Sequence, residues 1–115
     1  MQEGLIQVSF PEASAAEGNR LAGSLTDLLV DVSPTLSISR ERSQDDSQDI
    51  GTILGIILGS ASAISVAKGM AAFIARSAGA HMLIRKNGQV IFEGRNMESK
   101  DIPLVAAAMS ESKTS

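Results

Sequence analysis

Residues 50–75 read IGTILGIILGSASAISVAKGMAAFIA, and the folding of this stretch decides the rest of the chain. Residues 50–67 carry no charge, and Lys68 is the only charged residue before Arg76. Small residues recur at every fourth position: Gly51, Gly55, Gly59, Ala63, Ala67, Ala71 and Ala75. Positions i and i+4 are neighbours on a helix, so the spacing predicts one long helix over 50–76 with a smooth ridge along it. Such a ridge lets backbones approach closely, which makes Gly51, Gly55, Gly59, Ala63 and Ala67 the candidate helix-packing and interface residues. A helix apolar all round is buried in protein or sits in a membrane. Of the eighteen residues 50–67, eight are Ile, Leu or Val and the other ten are Gly, Ser, Thr or Ala, which gain little from lipid. Burial in protein is therefore the main reading, with membrane insertion through this helix as the alternative.

On the N-terminal side, residues 5–10 alternate through Ile6, Val8 and Phe10 and stop at Pro11, the pattern of a half-buried strand. Ser14-Ala15-Ala16-Glu17 matches a capping box, and Leu21, Leu25, Leu28 and Leu29 follow at helical spacing. A first helix over 15–29 is predicted, with Gly18 and Gly23 marking close approach to a neighbour. Pro34 punctuates, and residues 35–42 alternate again through Leu36 and Ile38, giving a second strand with a serine-rich outer face. The acidic stretch ERSQDDSQD, residues 41–49, supplies Asp46, Ser47 and Asp49 as caps for the long helix.

On the C-terminal side, Gly79 is placed as the C′ residue of the long helix. Asn87-Gly88 separates two apolar runs, residues 81–86 and 89–93, and is the strongest short hairpin signal in the chain. A two-residue turn there pairs Lys86 with Gln89, Ile84 with Ile91 and Leu83 with Phe92. A short helix follows over 103–109, with Ser99 or Asp101 as its cap and Pro103 near its first turn. Residues 1–109 form one domain and 110–115 a flexible tail. The expected class is α+β, or small α/β, with a four-stranded mixed sheet in the order β-α-β-α-β-β-α and right-handed parallel crossovers.

Composition removes several function classes. The chain has 115 residues, a net charge of -3 and 3% aromatic content with no Trp or Tyr. That excludes a basic footprint for nucleic acid and a stacking surface for bases or sugars. Zero cysteines exclude disulfides, thiolate zinc sites and thiol nucleophiles, and fit a cytoplasmic setting. The N-terminus lacks the basic region and apolar run of a signal peptide. Asp45 to Asp49 begins like a calcium loop, but Ile50 stands where Gly is needed and Ile56 where a bidentate Glu is needed. His81 is the only histidine, has no second His or Cys to share a metal, and reads as structural. No glycine run completes a phosphate loop, so no cofactor is expected. Arg85, Lys86 and Arg95 read as a solubilising hairpin tip.

The sequence from DIGTILGIILGSASAIS through MLIRKNGQVIFEG, preceded by a strand, a Leu-bearing helix and a second strand, resembles the effector-associated constant component family. These are small bacterial proteins of conflict systems, placed beside variable effectors such as proteases. The resemblance covers residues 5–109 and carries over no active-site residue. It implies a non-enzymatic scaffold or adaptor that self-associates or docks an effector protein. The ridge and the absence of catalytic motifs point to a self-associating interaction module, and the resemblance implies an effector protein as its partner, so a homo-oligomer, an effector complex, or both are expected.

Overall fold

In the computed structural model, residues 5–42, 52–59, 61–77 and 79–110 are described. The elements run β1 (Ile6–Ser9), α1 (Ala15–Val32), β2 (Ser37–Arg42), β3 (Thr52–Ile57), α2 (Ala63–Arg76), β4 (Met82–Lys86), β5 (Gln89–Gly94) and α3 (Asp101–Ser110). The fold is α+β, as expected, and the described residues form five strands instead of four.

The largest departure lies in residues 50–76. They do not form one helix: β3 and α2 are separate elements, joined through Gly59 at φ +57°. Residues 52–58 read TILGIIL, a short run rich in β-branched side chains. It satisfies a two-residue period as well as the four-residue one. Leu54 and Ile56 point into the core while Ile53 and Ile57 lie half-buried on the other side. A fresh cap then starts α2, with the Ser62 hydroxyl accepting the Ser65 N–H at 3.3 Å. The predicted caps Asp46, Ser47 and Asp49 fall outside the described residues.

The sheet order is β2-β3-β1-β4-β5, and every neighbouring pair is antiparallel. The expected mixed sheet is thereby corrected. Both crossovers skip a strand: β1-α1-β2 straddles β3, and β3-α2-β4 straddles β1. The first four strands thus follow the β-α-β-β-α-β order of interleaved split units, with β5 and α3 appended. The strands joined by a helix do run parallel, but each pair has an antiparallel strand between its members. This is why reading β3 as helix hides the topology, since β3 fills the slot between β1 and β2.

One face of the sheet carries the core. Ile6, Val8, Leu54, Ile56, Met82 and Ile84 are all fully buried there. Leu21, Leu25 and Leu29 of α1, Met70 and Phe73 of α2, and Val105 and Met109 of α3 pack into the same cluster. The Phe10 and Phe73 rings meet at 6.0 Å, tilted by 56°. Half of the predicted capping box forms, with Ser14 accepting the Glu17 N–H at 3.1 Å, while the Glu17 carboxylate pairs with Arg20 instead of reaching back to the Ser14 N–H. Helix α1 runs past Leu29 to Val32, closed by the Ser33 N–H on the Leu29 carbonyl at 2.8 Å. Gly23 does mark a close approach, since a Cβ there would stand 2.9 Å from the Arg40 guanidinium.

The hairpin forms at Asn87-Gly88, with both residues at positive φ, 52° and 84°. Lys86 pairs with Gln89 as expected. Beyond that the register shifts: Ile84 faces Phe92 and Leu83 faces Glu93, with Ile91 as the extra residue of a bulge. The expected Ile84–Ile91 and Leu83–Phe92 pairs would turn Phe92 away from the core, and the bulge turns it inward. Helix α3 begins at Asp101, whose carboxylate accepts the Glu98 N–H at 2.9 Å, and extends through Ser110. Lys86 Nζ donates to the Met109 carbonyl at 2.8 Å, tying the end of α3 to the hairpin. Gly79 takes a left-handed φ of 80°, but Ser77 is the residue that caps α2, so Gly79 lies one position beyond C′.

Candidate functional site

The helix layer leaves a cleft of about 1080 Å³ between α1 and the end of α2. One wall is a single face of α1, with Glu17, Arg20, Leu21, Ser24, Asp27, Leu28 and Asp31 recurring every three or four residues. The other wall is Phe73, Arg76 and Ser77 of the α2 terminus with Gly79, Ala80 and His81 of the following loop. Leucines on the inner side of α1 are used by the core, which leaves the polar flank of the same helix to line the opening.

At one end of the cleft lies a chain of charged groups. His81, with its side chain 14% exposed, sits between Glu12 and Glu93. Its Nε2–H donates to Glu93 Oε2 at 3.0 Å, since a carboxylate only accepts. Its Nδ1 stands 3.1 Å from Glu12 Oε2. That is a close polar contact and not a hydrogen bond of regular geometry, and among the described residues the buried Nδ1 has no other partner. Arg95 pairs with the other oxygen of Glu12. The Glu12 carboxyl is held below its ordinary value of 4.5, first by the His81 ring; desolvation opposes this, and Arg95 adds to it. Both imidazole nitrogens face carboxylates, so the arrangement fastens the β1–α1 turn to β5. Among the described residues no group of three or more His, Asp or Glu side chains is placed to hold a metal ion.

Further along the cleft, Asp27 and Asp31 lie one helical turn apart in the C-terminal half of α1. No basic residue stands in the last turn of that helix. Among the described residues neither aspartate has an ion pair, whereas Arg20 is engaged by Glu17.

The ridge residues predicted from spacing are not brought together on one helix. Gly55 lies in β3 opposite Gln7 and Ser39, and Gly59 forms the turn after it. Ala63 and Ala67 belong to α2, where Ala67 is fully buried in the chain's own core. Gly51 lies outside the described residues. Among the described residues no helix is long and apolar enough to cross a membrane, so the long inserting helix of the alternative reading is absent.

The second surface is the face of the sheet opposite the helices. Gln7, Ser9, Gly55, Leu83 and Arg85 lie on it by alternation from the buried positions, with Ile53 and Ile57 half-buried beside them. Val90, opposite Arg85, is 53% exposed.

Sequence reasoning missed both surfaces. Glu12 and His81 are far apart in the chain, and no local pattern links them. The Asp27–Asp31 spacing was visible, but only the fold shows that it borders a cleft. No family model, curated protein or solved structure matches the chain.

Proposed function

We propose that this protein is a non-enzymatic interaction module that associates with further copies of itself and serves as a scaffold for an effector protein. The observation that supports this most is the sheet face that no described helix covers. Among the described residues the three helices lie on one side of a five-stranded sheet, and the other side carries half-buried Ile53, Ile57 and Leu83 and exposed Val90 among polar residues. The edges are poorer surfaces for association. The bulge at Ile91 breaks the ladder of β5, and Arg40 turns toward α1 to meet Asn19 at 3.3 Å. The resemblance to the constant components of bacterial conflict systems gives the partner class, an effector encoded alongside, and the lack of cysteine fits a cytoplasmic setting. Light scattering on a sizing column, over a range of concentrations, tests the self-association. A defined multimer is expected, and Val90→Glu should shift it toward monomer. A monomer at every concentration would overturn self-association and leave effector docking as the role to test.

A further inference from the structure

We propose that His81 is a proton-controlled latch. As the imidazolium it holds the β1–α1 turn at Glu12 against β5 at Glu93, and as the neutral ring it lets go of Glu12. The latch is separate from the reading of the protein as an interaction module, and either can fail without the other.

A neutral imidazole has one N–H and one lone pair, whereas the imidazolium has two N–H groups. Both ring nitrogens of His81 stand against carboxylate oxygens, Nε2 at 3.0 Å from Glu93 and Nδ1 at 3.1 Å from Glu12. A carboxylate only accepts, so a neutral ring always turns its lone pair toward one of the two. The imidazolium alone suits both. The side chain is 14% exposed, so water does little to relieve the mismatch, and among the described residues Nδ1 meets no other partner. The contact with Glu93 is a regular hydrogen bond and the contact with Glu12 is not. The single proton of the neutral ring therefore stays on Nε2, and Glu12 is left facing the lone pair. With the imidazolium, the same Glu12 contact is a Coulombic pair, which needs closeness more than direction.

The charged surroundings leave His81 as the switching group. Arg95, which follows β5, holds the second oxygen of Glu12 whichever form the ring takes. Across the cleft stand Arg76 of α2 and the mutually paired Glu17 and Arg20 of α1, with Asp27 and Asp31 farther along that helix. His81 is the only histidine of the chain, and histidine is the side chain whose charge changes between about pH 5 and 8. The Glu12 carboxyl is held below its ordinary value by His81 before any other group, so it is ionised throughout that range. Glu12 and Ala13 of the turn, with Ala80 and His81 of the α2–β4 loop, line one end of the cleft. Releasing Glu12 therefore loosens that end, where the turn is closed by the Ala13 N–H on the Phe10 carbonyl at 3.1 Å.

The test is NMR of the full chain between about pH 5 and 8, in which every imidazole signal belongs to His81. Ring carbon and nitrogen shifts read its protonation and tautomer, and the carboxyl carbon of Glu12 reads its partner. Exchange of the Ala13 amide with water reads the turn, each rate being divided by that of an unstructured amide at the same pH. As the ring loses its proton, the Glu12 signal should move in step and the neutral ring should be the Nε2–H form. Ala13 exchange should rise by about two- to fivefold, the range of an ion pair with a half-exposed member. Glu12→Gln removes the step, because an amide offers either a donor or an acceptor and suits both forms of the ring. Position 12 is more than half exposed, so this variant should fold, and its His81 should still titrate. Ala13 exchange that stays flat across the titration would overturn the latch. An equal step in Glu12→Gln would do the same, as would a neutral ring protonated on Nδ1, which would leave Glu93 facing the lone pair instead.

Discussion

Gly69 of α2 faces Leu29 of α1 so closely that a Cβ at position 69 would lie 3.1 Å from Leu29 Cδ2 and 3.2 Å from Leu28 Cδ2. The two helices meet there through a missing side chain. Small residues in α2 therefore do serve close packing, but within one chain. The close approach falls at Gly69, which lies off the four-residue ridge.

Gly69→Leu should cost about 1–3 kcal/mol, because the added atoms displace Leu28 and Leu29 from a filled core. Gly69→Ala should cost much less, since the helix propensity of Ala, about 1 kcal/mol better than Gly, offsets the crowding. Urea unfolding of the two variants checks both. A Leu variant as stable as the parent would show that α1 and α2 do not pack this tightly.

Gly59→Ala distinguishes a turn from a continuous helix between β3 and α2. Gly59 holds a φ of +57°, which costs an L-residue roughly 1–2 kcal/mol. The variant should lose about that much stability without gaining helicity by circular dichroism. In a single helix over 50–76 the same change would stabilise by about 1 kcal/mol and leave or raise the helical signal.

Glu12 ties stability to pH with a definite sign. Its carboxyl is lowered from 4.5 by His81 first and also by Arg95, so its ionised form is favoured in the folded protein. The resulting stability is complete above the unfolded value and fades as pH falls through the lower folded one. The denaturation midpoint of the parent should therefore exceed that of Glu12→Gln at neutral pH, and the gap should close on acidification below 4.5. Glu12 is more than half exposed, so the gap is small and added salt should narrow it. A gap that grows toward low pH would refute the assignment.

The sequence by itself determined the elements whose signals are local. Ser14 and Glu17 start α1, Leu36 and Ile38 alternate into β2, and Asn87-Gly88 bends the β4–β5 hairpin. Each rests on backbone preferences or hydrogen bonds spanning a few residues, so the distant chain has no say in them. The composition likewise excluded disulfides, thiolate metal sites and thiol nucleophiles, because the sequence has no cysteine. The tertiary structure alone decided the rest. Residues 52–58 fit a helix and a strand equally well by period. They become β3 because β1 and β2 leave a slot in which both of its edges are hydrogen-bonded. The bulge at Ile91 answers to the core, which takes in Phe92. His81 finds Glu12 and Glu93, and Asp27 and Asp31 come to border a cleft, only when elements distant in sequence are packed side by side. Local physics wrote the pieces, and the competition for shared buried surface chose among their readings.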